Sequence, residues 1–338
     1  MLFIAAAGCS SDVAEVYPDG SDEIRISMGR SFSLLADPES GYRSWNRTID
    51  PTTMGVIATT NSESIFNNAS FSAPAQESET EWIANDGKKK YWLDYSSATS
   101  LDFFAYMPHI AGATLDGTGS SRTLTLPGVP GILGTSEKPY LVIASPLHFS
   151  SAYGNTSSLA LKMDQLMTCL CFQFMLGADM STLRTFKITK VKVSEIPASA
   201  TVKQTYTFDG SWTKGSMTLK SVSADKTYTE ITNTDGIRIG YNNNPSKFTV
   251  YPGNFYMLPF DFSQVTPQID VTYDVYDEDG YKTRSAVSTI LLNKTNFPTL
   301  SQMQSAHRIP IKIKIVPDNL YILSDADQSI AGYLVVGQ

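Results

Sequence analysis

This chain has little of what most catalytic sites are built from. Only three histidines occur in 338 residues, His109, His148 and His307. None stands in a metal-ligand spacing with another ligand, and each reads as a loop or strand-end residue. There is no Gly-x-Ser-x-Gly elbow, phosphate-binding loop or dinucleotide fingerprint. No catalytic residue, metal site or cofactor is therefore expected, and the chain is not read as an enzyme. Charge is also sparse. Asp, Glu, Lys and Arg make up 17% of the residues and the net charge is −7. Without a basic face to neutralise phosphates, nucleic acid is not expected as a partner. The one basic run, Lys88-Lys89-Lys90 after Asn85-Asp86-Gly87, reads as the solvated shoulder of a turn. No apolar run approaches the roughly 18 residues of a membrane helix. Cysteine is nearly missing as well, with three in all. Cys169 and Cys171 would sit about 6.5 Å apart along a strand, at the far limit for a disulfide. Two thiols without further ligands also make a poor zinc site. Buried free thiols are the expected state.

What is present points to β-structure. Hydrophobic residues are 42% of the chain, and aromatics, at 11%, are mostly Tyr (17) and Phe (16). Such residues, with abundant Thr, suit a pleated, half-buried surface. Period-two segments recur along the whole length. Glu23 to Arg30 alternates, with Ile24, Ile26 and Met28 on one face. Met54-Gly55-Val56-Ile57, Lys90-Tyr91-Trp92-Leu93, Leu101 to Tyr106 and Leu141 to Ala144 read as further strands. Leu166 to Leu176 is apolar on both faces, as a doubly covered strand would be. Thr185 to Val193 and Arg308 to Val316 alternate. Asp277-Glu278-Asp279-Gly280 lies between two such runs and predicts a hairpin. Only Pro298 to Ala306 suggests a helix. Many short strands separated by turns indicate β-sandwiches with Greek-key-type connections. The small, polar stretch around Ser150 to Ser158 predicts a division into 23–155 and 156–338, with 1–22 as signal remnant and tether.

The third cysteine stands apart. Ala6-Ala7-Gly8-Cys9, followed by Ser-Ser-Asp, has the form of a lipobox. Lipid on Cys9 would tie the chain to a membrane, because each buried methylene contributes about 0.8 kcal/mol. That reading predicts an exported lipoprotein, with residues 1–22 as signal remnant and tether.

The order of segments carries a resemblance. A lipobox, a short alternating strand followed by arginines, Met54-Gly55-Val56-Ile57, an isolated Trp82, and Tyr91-Trp92 come first. Leu101-Asp102-Phe103-Phe104-Ala105-Tyr106-Met107-Pro108, Leu161 to Leu176 and Val250-Tyr251-Pro252-Gly253 follow. In this order the chain resembles the fimbrillin family, the type V pilins and related lipoproteins of Bacteroidales-type anaerobes. The resemblance implies an all-β fold of two tandem transthyretin-like β-sandwiches. It implies export to the outer membrane and the cell surface, then cleavage after an arginine to release the first strand. It also implies donor-strand exchange, in which a C-terminal strand of another subunit fills the vacated groove. Where relatives carry Thr-Arg, this chain has Gly29-Arg30, Tyr42-Arg43 and Asn46-Arg47. Arg30, Arg43 and Arg47 are thus the processing candidates. Arg30 ranks first because it closes the alternating run. The donor candidate is 329–338, with Ile330, Tyr333, Leu334, Val335 and Val336 as its apolar residues.

Two functions follow. One is a structural subunit of a fimbria, or an adhesion lipoprotein associated with it, whose partners are other pilin subunits and a host or bacterial surface ligand. The other is a surface glycan-binding lipoprotein, with Trp45, Trp82, Trp92 and Trp212 as stacking residues. Coplanar tryptophans on an open face would favour the second.

Overall fold

Leu101–Met107 shows how the alternation is used. All seven residues are buried. Leu101, Phe103, Ala105 and Met107 belong to one apolar cluster, and Phe104 and Tyr106 to another. Successive side chains project to opposite faces of a strand, so a strand buried throughout must be covered on both faces. Gly55 sits beneath the Tyr106 ring, where any Cβ would collide with it.

The computed structural model describes residues 22–27, 36–37, 41–42, 53–75, 80–132, 141–152, 158–176, 184–239, 248–297, 303, 305, 307–316 and 333–335. In chain order the strands are β1 (Ile26–Ser27), β2 (Ala36–Asp37), β3 (Gly41–Tyr42), β4 (Thr53–Thr60), β5 (Ser64–Ser72), β6 (Glu81–Ala84), β7 (Leu101–Met107) and β8 (Thr114–Asp116). Next are β9 (Ser121–Pro130), β10 (Val142–Ala144), β11 (Leu147–Phe149), β12 (Leu159–Ala160), β13 (Met163–Gln165), β14 (Thr168–Leu176), β15 (Thr185–Pro197) and β16 (Ser199–Phe208). The last are β17 (Trp212–Lys220), β18 (Lys226–Ile239), β19 (Thr249–Val250), β20 (Phe255–Met257), β21 (Gln268–Tyr276), β22 (Lys282–Leu291), β23 (Arg308–Val316) and β24 (Tyr333–Val335). The expected all-β class holds. Among the described residues the only helix is a 3-10 turn, Trp92–Tyr95.

The first sheet runs β12-β1-β6-β5-β4-β7-β10-β13, with β11 also on β7. Its two outermost strands, β12 and β13, are separated in the chain by Leu161 and Lys162 alone. Three residue steps span at most about 11 Å, so the sheet curls until its ends meet. The enclosed core holds Ile24, Ile26, Val56, Trp82, Trp92, Phe103 and Leu159, among others.

The outer face of this sheet is covered by a second sheet, β17-β16-β9-β8. Ile57, Phe104, Tyr106 and Ile143 pack there in one cluster with Leu124, Leu126, Val202 and Tyr206. Two more sheets, β19-β14-β23-β24 (with β20 on β14) and β18-β15-β21-β22, share the same cluster. From the first come Phe172, Phe174, Ile311 and Ile313, and from the second Ile188, Val191, Val271 and Tyr273. Strand β14 pairs in parallel with β23 over eight residues, Cys169↔Arg308 to Leu176↔Ile315. The hairpin expected at Asp277 to Gly280 joins β21 and β22, where the Asp277 carboxylate accepts the Tyr281 N–H at 2.7 Å.

One long ribbon links the two regions. β15 and β16 are separated only by Ala198, and their partners β18 and β17 run back alongside them. The ribbon leaves one sheet and enters another at a bend. There Glu195 and Ser221 take positive φ, +60° and +46°, and the β15/β18 register slips between Val193 and Ile196. Bulges of this kind bend and twist a strand pair. The pairing resumes past the bend, with Ala198 N–H on Asp225 O at 2.8 Å and Ser223 N–H on Ser199 O at 2.8 Å.

The division expected between residues 155 and 156 falls inside this network. β12 and β13 complete the first sheet, and β9 pairs with β16 from Ser121↔Thr207 to Pro130↔Ser199. The reason is the second apolar face of β4, β7 and β10, which needs a covering layer that the first half alone does not supply. A second difference concerns Tyr91-Trp92-Leu93, read as a strand. Trp92 and Tyr95 are buried and Leu93 is exposed. That spacing of three suits a 3-10 turn, and Asp94 accepts the Tyr91 N–H. The helix expected over Pro298 to Ala306 falls mostly outside the described residues.

Cys169 and Cys171 are buried thiols of β14, not joined in a disulfide. Burial, with a smaller contribution from Cys171, pushes the Cys169 thiol up to about 12. Reactivity follows the thiolate. The folded chain should therefore show no labelling of either thiol by a maleimide at pH 7, and labelling of both after denaturation, read by mass spectrometry of the 168–176 peptide.

Candidate functional site

The seat of the first strand is the best-defined site among the residues singled out from sequence. Residues 22–27 lie between two partners. On one side Ile26 pairs antiparallel with Trp82 and Ser27 with Glu81. On the other, Ile26 pairs in parallel with Leu159 and Ser27 with Ala160. The backbone ladder extends beyond β1. Ile24 N–H donates to Lys90 O at 2.7 Å, Trp92 N–H to Asp22 O at 2.9 Å, Leu159 N–H to Arg25 O at 2.8 Å and Leu161 N–H to Ser27 O at 3.1 Å. Ile24 and Ile26 are 5% and 1% exposed. Their burial contributes about 1.5–3 kcal/mol each, supplemented by the two-sided ladder.

Charges fasten the outer face of this strand. Lys89 donates to Glu23 at 2.8 Å, and Arg25 lies 3.8 Å from Glu81. The hydrogen bond and charge of Glu23 raise the Lys89 ammonium above its ordinary value. The Asp22 carboxylate accepts the Leu93 N–H at 3.1 Å. The lysine run read as a solvated shoulder thus partly faces the first strand.

At the other terminus, β24 lies antiparallel on β23, pairing Tyr333 with Val316, Leu334 with Ile315 and Val335 with Lys314. It is the last strand on that edge of its own sheet. Cys9, Met28, Arg30, Arg43, Arg47, Ile330, Val336 and Trp45 lie outside the described residues.

The described tryptophans do not form an open platform. Trp82 is 3% exposed, Trp92 0% and Trp212 9%. Trp92 packs edge-on against Phe103 and Phe149 at 5.9 and 5.2 Å. Trp212 packs against Phe104 and Phe208.

Sequence reasoning missed a buried polar joint. Asp102 of β7 accepts hydrogen bonds from Trp212 Nε1 and His148 Nδ1, each at 2.7 Å. The His148 ring lies 4.5 Å from that of Phe208. Nearby in the same two sheets, Lys214 bonds Asp164 and, at 3.2 Å, Ile143 O. These contacts fasten the ribbon tip to the first sheet. A visible signal was the acidic residue inside the apolar run Leu101 to Met107. Its partners, 46 and 110 residues away, had none.

No protein-family model matches the chain, and no curated protein does. Solved structures do. A proposed cell adhesion protein of Bacteroides uniformis aligns at 14% identity and a TM-score of 0.44, over 87% of this chain and 92% of that one. A protein of Bacteroides thetaiotaomicron described as a proposed polysaccharide binder aligns at 10% identity and 0.34, over 87% and 90%. The fimbrial anchor protein Mfa2 of Porphyromonas gingivalis aligns at 11% and 0.27, over 88% and 92%.

Proposed function

We propose that this chain is a structural subunit of a surface fimbria, or an adhesion lipoprotein that associates with one. In this reading lipid on Cys9 carries it to the outer membrane. Cleavage after an arginine, Arg30 before Arg43 or Arg47, frees the first strand. A C-terminal segment of a neighbouring subunit, residues 329–338, then takes its place.

The observation that carries the proposal is the seat of residues 22–27. This short segment supplies two buried isoleucines and bonds backbone on both sides. Its loss would leave two unpaired strand edges and an apolar slot, and such a slot accepts an extended apolar strand in trans. The tail offers a continuous apolar run, Tyr333 to Val336, and its seat on β23 is a sheet edge from which it can leave.

The glycan-binding alternative has less support. The three described tryptophans are core residues, and the exposed aromatics Tyr228 and Tyr281 stand on β18 and beside β22, the two outer strands of one sheet.

Two measurements test the proposal. N-terminal sequencing of the surface form should begin directly after Arg30, Arg43 or Arg47 in assembled material. Replacing Cys9 with Ala should abolish incorporation of labelled fatty acid and surface delivery. A lipid-labelled, surface-exposed Cys9→Ala chain would remove the lipoprotein reading, and assembled material that retains residues 22–27 would remove the exchange.

A further inference from the structure

The loop that follows β6 is fastened at both ends and reactive in the middle. Residues 85–89 are all exposed. At one end the Asn85 N–H donates to Ser70 O at 2.8 Å, and the Asn85 side chain bonds the Ser72 and Ser70 hydroxyls at 2.5 and 2.8 Å. At the other end Lys89 donates to Glu23 at 2.8 Å, and Lys90 O accepts the Ile24 N–H at 2.7 Å. Between these fastenings stand Asp86, Gly87 and Lys88. The first strand is therefore held, in part, through an Asp-Gly pair.

An aspartate before glycine can close a five-membered ring, in which the glycine nitrogen attacks the aspartate's own carboxyl carbon. The glycine sets no side chain in the way. Five such pairs occur among the described residues, beginning at Asp86, Asp116, Asp209, Asp235 and Asp279. Asp86 is set apart by its carboxylate, which folds forward onto the main chain. Its Oδ1 accepts the Lys88 N–H, two residues on, at 3.0 Å. Asp116 instead accepts the Thr114 hydroxyl at 3.2 Å. The N–H two residues beyond Asp279, that of Tyr281, is held by Asp277. The Lys88 bond keeps the Asp86 carboxyl beside the backbone. It also supplies a donor to the oxygen that becomes negative as the ring closes. Gly87 has a φ of +66°, a conformation glycine adopts without strain, and a Cβ there would meet nothing within 4 Å. Its N–H now donates to Ala84 O at 3.1 Å. That bond belongs to an exposed turn, which opens at little cost.

We infer that Asp86-Gly87 is a site of spontaneous isoaspartate formation, and that the conversion loosens the first strand. Gly87 N loses its proton and bonds to Asp86 Cγ, and a carboxyl oxygen leaves as water. The product is a cyclic imide. Water then adds to one of its two carbonyls. Addition at Cγ restores aspartate. Addition at the Asp86 main-chain carbonyl breaks its bond to Gly87 N and leaves the chain running through Cβ and Cγ. One water is lost and one regained, so no oxidant or other reactant is consumed. The main chain is then one carbon longer between its two fastenings. Asn85 is held by a backbone bond and two side-chain bonds. The first-strand side is held by one backbone bond and the ion pair of an exposed lysine, which contributes little. That side gives way first. The inference does not depend on the lipidation or assembly proposed above.

Full-length protein incubated for weeks at physiological temperature tests this, with the isomers distinguished by electron-transfer fragmentation in a mass spectrometer. Isoaspartate should accumulate at Asp86 roughly fivefold faster than at the exposed Asp209 and Asp279, the worth of one hydrogen bond in the transition state. Asp86→Glu, whose ring would be one atom larger, should abolish it. Asp86→Asn, which reaches the same ring by losing ammonia, should speed it. Hydrogen exchange at the Ile24 amide should quicken in the aged parent and stay unchanged in aged Asp86→Glu. Accumulation at Asp86 no faster than at Asp209 and Asp279 would overturn the site. Unchanged Ile24 exchange in chains that carry isoaspartate at Asp86 would overturn its link to the first strand.

Discussion

An Ile26→Asp chain should lose its first strand while keeping the rest of its fold. Ile26 is 1% exposed between Trp82 and Leu159. A carboxylate there would have no described partner. An unpaired buried charge costs several kcal/mol, on top of the apolar burial it removes. The seat itself is worth a similar amount, two isoleucines at about 1.5–3 kcal/mol each with a short ladder. The cheapest response is to release residues 22–27 to water. Arg25, whose carbonyl now accepts the Leu159 N–H, would then be open to cleavage. An arginine-specific protease should cut the variant rapidly at Arg25 and cut the parent there slowly or not at all. β14 to β23 should remain intact, followed by hydrogen exchange. Ile26→Val, which removes one methylene, should cost only about 0.5–1.5 kcal/mol and stay protected. A protected Ile26→Asp chain would mean that the strand is not seated as described. Global unfolding would mean that the strand cannot be separated from the core.

The second large effect is at the other end. Deleting residues 329–338 should abolish polymers and leave the monomer folded. In the chain's own sheet the tail contributes three residue pairs on the outer edge of β23. β23 keeps its eight-residue parallel pairing with β14, and Ile311, Ile313 and Ile315 stay buried. Loss of a short edge strand should lower stability by no more than about 2 kcal/mol, a shift of a few degrees in melting temperature for a domain of this size. Polymer formation, by contrast, would have no donor. Size-exclusion chromatography after arginine-specific trimming, with and without the deletion, reads the outcome. Polymers from the deleted chain would assign the donor role to another segment, and an unfolded deleted monomer would make the tail an ordinary structural strand.

Much of this architecture was legible because alternation is a local signal. Leu101 to Tyr106 and Leu166 to Leu176 could be read as strands from local apolar runs, the segments flanking Asp277 to Gly280 as a hairpin, and Ile24 and Ile26 as residues of one face. What was not legible depends on partners distant in sequence. Lys88 to Lys90 looked like a solvated run because nothing local places Glu23 opposite Lys89. Trp92 looked like a strand residue because Tyr91-Trp92-Leu93 is β-prone, whereas the turn brings Trp92 and Tyr95, three apart, to one buried side. Asp102 showed as an oddity inside an apolar strand, yet its meaning lay in Trp212 and His148. The division near residue 155 followed composition, which marks a loop but cannot say which strands pair across it.

That crossing has a consequence for how the chain is made. The face formed by Ile57, Phe104, Tyr106 and Ile143 is covered by β9 and by the ribbon strands β16 and β17. As synthesis passes residue 165, every strand of the curled sheet has been made, but its outer apolar face has not yet met β16. Until about fifty further residues have been added, that face has only the β8–β9 hairpin to shield it. Pairings this far apart in sequence form slowly, because loop-closure entropy precedes the contacts that reward it. In the interval an exposed apolar sheet is prone to associate with other chains. The first half is translated first, but it can be completed only together with the second.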